Sequence, residues 1–270
     1  MGTERSFLAA HLTVQDIAEH IRRDGVAILA TGSTEGHGAL LPLGTDTFVA
    51  EAVAIEVARL CDGIVFPPFW YTYAGGTRPF PGTVSLPGTV QMEYTRAVLR
   101  DLIADGYRRI FHIQWHGPYH VNEQLTREIF EETGVPVVFF GLLGHPVMRS
   151  EAAAELIGRD PFTRETTVTA GALDLLGLPH LLDCSKFTAD QQPASRPEDG
   201  PIASIGKLGG NVGHYYTDPT QHLPVRTNVD TAAGKRLISM LAKEIAGAAE
   251  PLRQYGAILK DRAGRATQPE

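Results

Sequence analysis

Residues 26–30 (Val-Ala-Ile-Leu-Ala) form an apolar run with no polar alternation, the pattern of a strand buried on both faces. Further short strand patterns follow at 63–69, ended by two prolines, at 109–115 and at 136–142. Helical patterns separate them, at 14–24, 46–61, 89–105 and 119–133. Strands alternating with helices imply a mostly parallel sheet covered by helices on both sides, an α/β fold. In such sheets ligands bind beyond the carboxyl ends of the strands, so the segments after the first three strands are the places to look for chemistry.

The first helix has Thr13 as N-cap with Asp16 three residues on, and Gly25 beyond its end. The helix at 89–105 is read with Val90, Tyr94, Val98, Leu102 and Ile103 on its apolar face. Helices are also expected at about 147–157, 165–177 and 229–248, the last repeating Val229, Ala233, Leu237, Leu241 and Ile245 every four residues. Residues 185–228 have little regular pattern, as functional or mobile loops of this length do. With no internal repeat or linker, residues 1–270 read as one domain with 1–10 and 255–270 as peripheral tails, the polar 261–270 being frayed. Lys and Arg number 24 against 31 Asp and Glu, a formal charge of −7 that argues against nucleic acid as a partner. The two cysteines, Cys61 and Cys184, make neither a disulfide framework nor a cysteine-only zinc site. There is no bilayer-length apolar run, and MGTERSFLAA does not read as a signal peptide, so the expectation is a cytoplasmic enzyme without a membrane partner.

After the first strand come Thr31-Gly32-Ser33-Thr34-Glu35-Gly36-His37-Gly38 and Leu41-Pro42-Leu43-Gly44-Thr45-Asp46. Glu35 and His37 point the same way on an extended segment, and the flanking glycines let the loop bring Asp46 back towards them. Taken singly, Glu-x-His reads as a solvated loop and Asp46 as a helix cap. Taken together at a strand end, they read as metal ligands. His116, in Gln114-Trp115-His116-Gly117-Pro118-Tyr119-His120, projects into the same crevice from the third strand. Two carboxylates and two imidazoles suit Zn²⁺ or Mn²⁺, and one carboxylate could bridge two ions. His112, within the strand, reads as a core histidine, and His120 as either a group near the substrate or a surface residue.

These motifs, with Pro81-Gly82-Thr83-Val84-Ser85-Leu86, resemble the signatures of the creatininase (creatinine amidohydrolase) family over about residues 25–250. The resemblance implies a three-layer α/β/α fold, a homo-oligomer (a hexamer) and a site for two divalent metal ions that hydrolyses cyclic amides or related bonds. It implies Glu35 and His116 on one ion, His37 on the other and Asp46 bridging them. Two departures stand out. Creatininase itself carries a Glu two residues after the turn histidine, where this chain has Pro118, and the family segment His-Ala-Gly-x-x-Glu is matched to residues 169–174, so that Thr169 replaces the His and Asp174 the Glu. Asp174 is therefore expected to ligate the second ion, creatinine to be a poor substrate, and His214 or His120 to deliver the proton to the leaving group.

The loop after the second strand, with Trp70, Tyr71, Tyr73, Thr77 and Arg78, is expected to shape the pocket for a small-molecule substrate. Its aromatics could wall a ring, or Trp70 and Tyr71 could pack an oligomer contact. The leading function is metal-dependent hydrolysis of a C–N bond in a cyclic amide. The alternatives are opening of an inositol- or sugar-derived carbocyclic ketone, cleavage of a formamide, and a non-catalytic binding protein.

Overall fold

The computed structural model describes residues 6–266. The elements run α1 (Val14–Arg22), β1 (Val26–Thr31), α2 (Thr45–Cys61), β2 (Gly63–Phe69), α3 (Gly88–Asp105), β3 (Ile110–Gln114), α4 (His120–Thr133) and β4 (Val137–Gly141). Only helices follow: α5 (Pro146–Arg149), α6 (Glu151–Ile157), α7 (Pro161–Leu175), α8 (Asp199–Lys207), α9 (Pro219–His222), α10 (Thr231–Ala246) and α11 (Ala249–Ala266). The four strands make one parallel sheet in the order β2-β1-β3-β4.

Successive side chains on a strand face opposite sides, and β1 divides its residues accordingly. Val26, Ile28 and Ala30 join the core formed with α2, α6, α7 and α10. Ala27 and Leu29 join the core of the other face, with residues of α3 and α4, and Ile17 and Ile21 of α1 pack against it. The three-layer α/β/α fold follows from this division. None of the described helices is long and apolar enough to cross a membrane.

The described structure corrects several details of the sequence reading. The buried face of α3 carries Gln91, Thr95, Leu99, Leu102 and Ile103, whereas Val90 and Tyr94 are exposed, although Tyr94 still meets Phe69 edge-on at 4.9 Å. The expected helix at 165–177 begins earlier, at Pro161, capped by the Asp160 side chain on the Thr163 N–H. Two short helices, α8 and α9, interrupt the irregular stretch 185–228. Phe7 and Leu8 lie along the β2 edge, where Val65 N–H donates to Phe7 O at 2.7 Å. At the other end α11 runs on to Ala266 rather than fraying from 261. Expectations for residues 1–5 and 267–270 lie outside the described residues.

Candidate metal centre

The strand order sets β1 beside β3, with Thr31 and Gln114 in register at their carboxyl ends. The loop after β1 and the turn after β3 therefore leave the sheet side by side. Gly32 lets the loop turn against the start of α2: a Cβ there would meet Thr47 N at 2.2 Å. That approach lets the Ser33 hydroxyl donate to Asp46 Oδ2 at 2.6 Å and the Thr47 hydroxyl donate to Ser33 O. Beyond β3, Asn122 Nδ2 donates to Gln114 Oε1, and Gln114 Nε2 donates to His116 O, which fixes the turn holding His116.

Glu35, His37, Asp46 and His116 converge and are all buried. Three sets of three ligand atoms meet there, and two of them share Asp46: Glu35, Asp46 and His116, and His37, Asp46 and Glu165. In the first, His116 Nε2 lies 3.5 Å from Glu35 Oε1 and 4.0 Å from Asp46 Oδ2. In the second, His37 Nε2 lies 3.4 Å from Asp46 Oδ1 and 3.5 Å from Glu165 Oε1. Asp46 offers one oxygen to each of these two sets, so it is the group placed to bridge. Ions bound at about 2.0–2.2 Å to imidazole and carboxylate need ligand atoms spaced in this range. These residues fit a pair of divalent ions.

Neighbouring groups fix the orientation of each donor. Thr72 Oγ1 donates to Gly32 O at 2.8 Å and so accepts from His116 Nδ1–H at 3.2 Å. His37 Nδ1 donates to Glu35 O at 3.1 Å. With Nδ1 engaged in this way, Nε2 is the atom each imidazole would turn to a metal ion, the usual role of groups behind metal-binding histidines. The Thr77 hydroxyl donates to Glu35 Oε2 at 2.5 Å and leaves Oε1 facing the histidines. Burial pushes the Glu35 carboxyl up, but His116, His37 and Thr77 outweigh it and hold it well below the usual range. Burial alone would depress His37 and His116, yet the facing carboxylates raise both above the ordinary imidazole value.

The α7 carboxylate that reaches the cluster is Glu165, not Asp174. The two are nine residues apart, which at about 100° per residue puts them on opposite faces of a helix and at about 1.5 Å per residue some 13 Å apart. Asp174 is part-exposed and pairs with Lys235 Nζ at 2.6 Å. If Glu165 takes the Glu position of the family segment, the His position falls on Asp160, whose carboxylate caps α7 and pairs with Arg226. Thr169 is buried, with its hydroxyl donating to Glu165 O.

A cavity of about 630 Å³ opens over the cluster, and Tyr73, Thr77, Pro118, His120, Glu165, His214, Tyr216 and His222 are among its lining residues. Of the loop residues expected to touch substrate, Tyr73 and Thr77 line it, while Trp70 packs edge-on to Phe48 at 5.3 Å and Tyr71 and Arg78 are exposed outside it. His120 is mostly in solvent, with Nδ1 3.8 Å from Glu123. His214 sits in the wall, edge-on to Tyr216 at 5.3 Å. Sequence reasoning missed Glu165 and His222: Asp160-Pro161, a cap followed by an N1 proline, could have located the start of α7, but His222 has no local signal. His112 is a core residue, donating to or accepting from Thr31 Oγ1 at 2.7 Å, and burial pushes its pKa down to about 3.

Comparison with known proteins points the same way. The chain is 25% identical over 206 residues to the 3-dehydro-scyllo-inosose hydrolase of Thermotoga maritima, covering 73% of this chain and 64% of that protein. It is 32% identical over 98 residues to the creatinine amidohydrolase of Pseudomonas putida, covering 34% of this chain and 38% of that one. It is 37% identical over 98 residues to the mycofactocin precursor peptide peptidase of Mycolicibacterium smegmatis, covering 34% and 39%. The chain thus spans less than two thirds of the length of these curated relatives. Among solved structures, manganese creatininase superposes with a TM-score of 0.71 at 20% identity, over 90% of this chain and 97% of that one. A Zn-Zn type mutant creatininase gives 0.71 over 91% and 97%, also at 20% identity, and at that identity the likeness is one of fold. Residues 10–170 match the creatininase (creatinine amidohydrolase) family as a whole, a stretch that takes in β1 to β4 and every ligand of the two sets, and the chain belongs to that family.

Proposed function

We propose that the protein is a metal-dependent hydrolase that holds two divalent ions, zinc or manganese, and cleaves a C–N bond of a cyclic amide or related small molecule. The observation that carries this reading is the pair of three-ligand sets sharing Asp46 on the floor of one cavity. Glu35, Asp46 and His116 would hold one ion, and His37, Asp46 and Glu165 the other. Paired divalent ions, when bound, make a water nucleophilic near neutral pH and polarise a carbonyl.

The remaining residues position and select. Thr77, Thr72 and the Glu35 carbonyl keep the ligand atoms aimed at the cavity. Tyr73, Thr77, Asn211 and Tyr216 offer polar atoms around its wall, and no Lys or Arg is among the described residues that line it, which suits a neutral substrate. His214, in the wall, is the group assigned to carry a proton to the departing atom, since the His120 ring stands mostly in solvent.

A second reading, opening of a carbocyclic ketone, is favoured by the 73% of this chain that aligns with the inosose hydrolase and by Tyr73 and Tyr216 in the wall, which bear hydroxyls. Creatinine fits less well, because Pro118 lines the cavity where creatininase has a carboxylate. Turnover assays of the zinc- and manganese-loaded protein against cyclic amides, formamides and cyclic ketones test both readings. Hydrolysis of none of them would refute the assignment. A homo-oligomer, a hexamer by family, is part of the proposal: β4 is an edge strand pairing only with β3 among the described strands, and its residues are half-buried. Light scattering showing a monomer would remove it.

A further inference from the structure

His222 belongs to neither Asp46-sharing set and yet faces both. Its Nε2 atom is buried and has no hydrogen-bond partner among the described residues. It lies 3.9 Å from Glu35 Oε1, and ligand atoms of Glu35, His37 and His222 fall within 4.8 Å of one another. It therefore looks onto the gap between a ligand of the first set and a ligand of the second, on the floor of the cavity.

His222 stands further from the carboxylates than the other two imidazoles do. His37 Nε2 has Asp46 Oδ1 at 3.4 Å and His116 Nε2 has Glu35 Oε1 at 3.5 Å, against 3.9 Å between His222 Nε2 and Glu35 Oε1. Glu35 is the only carboxylate within 4.0 Å of His222 among the described ion pairs, and its oxygens already face His116 and Thr77. The ring is also held where it is. It meets the rings of His37 and Tyr216 in tilted contacts, both at 5.0 Å between centroids. Tyr216 is fixed in turn, by Arg196 over its ring at 4.8 Å and by its N–H on Gly76 O at 2.8 Å. A capping box between Asp218 and Gln221 opens the short helix that carries His222. Native structures rarely bury a polar atom without a partner, and one aimed into a cavity is suited to a partner that arrives with the ligand.

We propose that His222 is a substrate-contacting residue that hydrogen-bonds through Nε2 to a carbonyl, amide or hydroxyl group seated between Glu35 and His37. This rests on the two-ion reading of the site. A neutral imidazole either donates or accepts through Nε2, so the contact serves each of these groups.

The test compares the zinc-loaded wild type with His222→Ala and His222→Gln, since a Gln side-chain amide reaches roughly where Nε2 does. Zinc per chain is measured by mass spectrometry, and binding of acetohydroxamate, a small zinc chelator that binds as the anion and carries a carbonyl and an N–H, by calorimetry. Both variants are expected to hold as much zinc as the wild type. His222→Ala is expected to weaken acetohydroxamate by about tenfold, the size of one hydrogen bond, and His222→Gln to recover most of that loss. Loss of zinc from His222→Ala would make the residue a ligand and overturn the proposal, as would equal acetohydroxamate affinity in all three proteins. A wild type that holds no zinc would overturn the two-ion reading itself, and this inference with it.

Discussion

Replacing Glu165 with Gln, beside Asp174→Asn as its counterpart on the same helix, separates a ligand from a surface ion pair. Glu165 supplies one of three atoms around His37 Nε2, at 3.5 Å, and Gln keeps its shape while removing the charge. Changing even a group that only supports a metal ligand costs roughly 10–100-fold in affinity, so losing a ligand should cost at least about a hundredfold. With zinc at a hundred times the wild-type dissociation constant, binding stabilises the fold by about 2.7 kcal/mol. A hundredfold weaker site retains about 0.4 kcal/mol under the same conditions. At roughly 2 °C per kcal/mol for a chain of this size, the zinc-induced rise in Tm falls from about 5 °C to about 1 °C. Asp174 pairs with Lys235 across a part-exposed surface, and both side chains keep over a third of their area in water, so breaking the pair costs about 0.2–1 kcal/mol. Asp174→Asn should leave the zinc response intact and lower the metal-free Tm by no more than about 2 °C. Differential scanning fluorimetry with and without zinc, supported by metal analysis, reads both effects. A Glu165→Gln protein with the full zinc-induced rise, or an Asp174→Asn protein without it, would refute the reasoning.

Three further outcomes follow from the same geometry. Asp46→Asn should disturb both ligand sets at once and lower the zinc held per chain more than Glu165→Gln does; dialysis against zinc followed by metal analysis decides it. Thr72→Val removes the acceptor for His116 Nδ1–H and should weaken zinc about 10–100-fold without unfolding the chain, which competition with a chromogenic chelator measures. His112 is depressed to about 3 when folded, so the unfolded chain takes up a proton below about pH 6.5 that the folded chain refuses until about pH 3. Its contribution therefore lowers stability as the pH falls through that window, by about 2 kcal/mol at pH 5. Urea denaturation of His112→Gln at pH 7 and pH 5 should show a correspondingly shallower loss than the wild type, and parallel curves would contradict this.

How far the sequence could be read depended on how far apart the cooperating residues lie in it. β1 and its loop are legible because a short apolar run rich in β-branched and aliphatic residues fits a doubly covered strand, and because Glu35, His37 and Asp46 sit within one short glycine-rich turn. His116 is legible as the residue that leaves the neighbouring strand. Glu165 is not legible beside Asp174, since both are acids in one helical pattern and the helix phase, set by the Asp160 cap, decides which of them reaches the cluster. The α3 face was misjudged for a related reason: Gln91 and Thr95 are buried polar residues whose place in the core depends on partners outside the helix, such as the Tyr73 N–H that donates to Gln91 Oε1. His222 arrives from an irregular segment whose path is fixed by contacts such as Tyr216 on Gly76, which no periodicity encodes.

The Tyr216–Gly76 contact also divides the labour within the molecule. Every residue of the two ligand sets is anchored in the layered body, on β1, α2, β3 or α7 and the turns that leave them, whereas Asn211, His214, Tyr216 and His222 all belong to one strap that crosses the cavity and is moored to the loop after β2. Insertions or exchanges in that strap would reshape what the cavity admits while leaving the sheet and the ligand sets as they are. A lineage built on this plan could change its diet by rewriting about a dozen residues, and the strap is where swaps between this chain and its relatives should transfer selectivity.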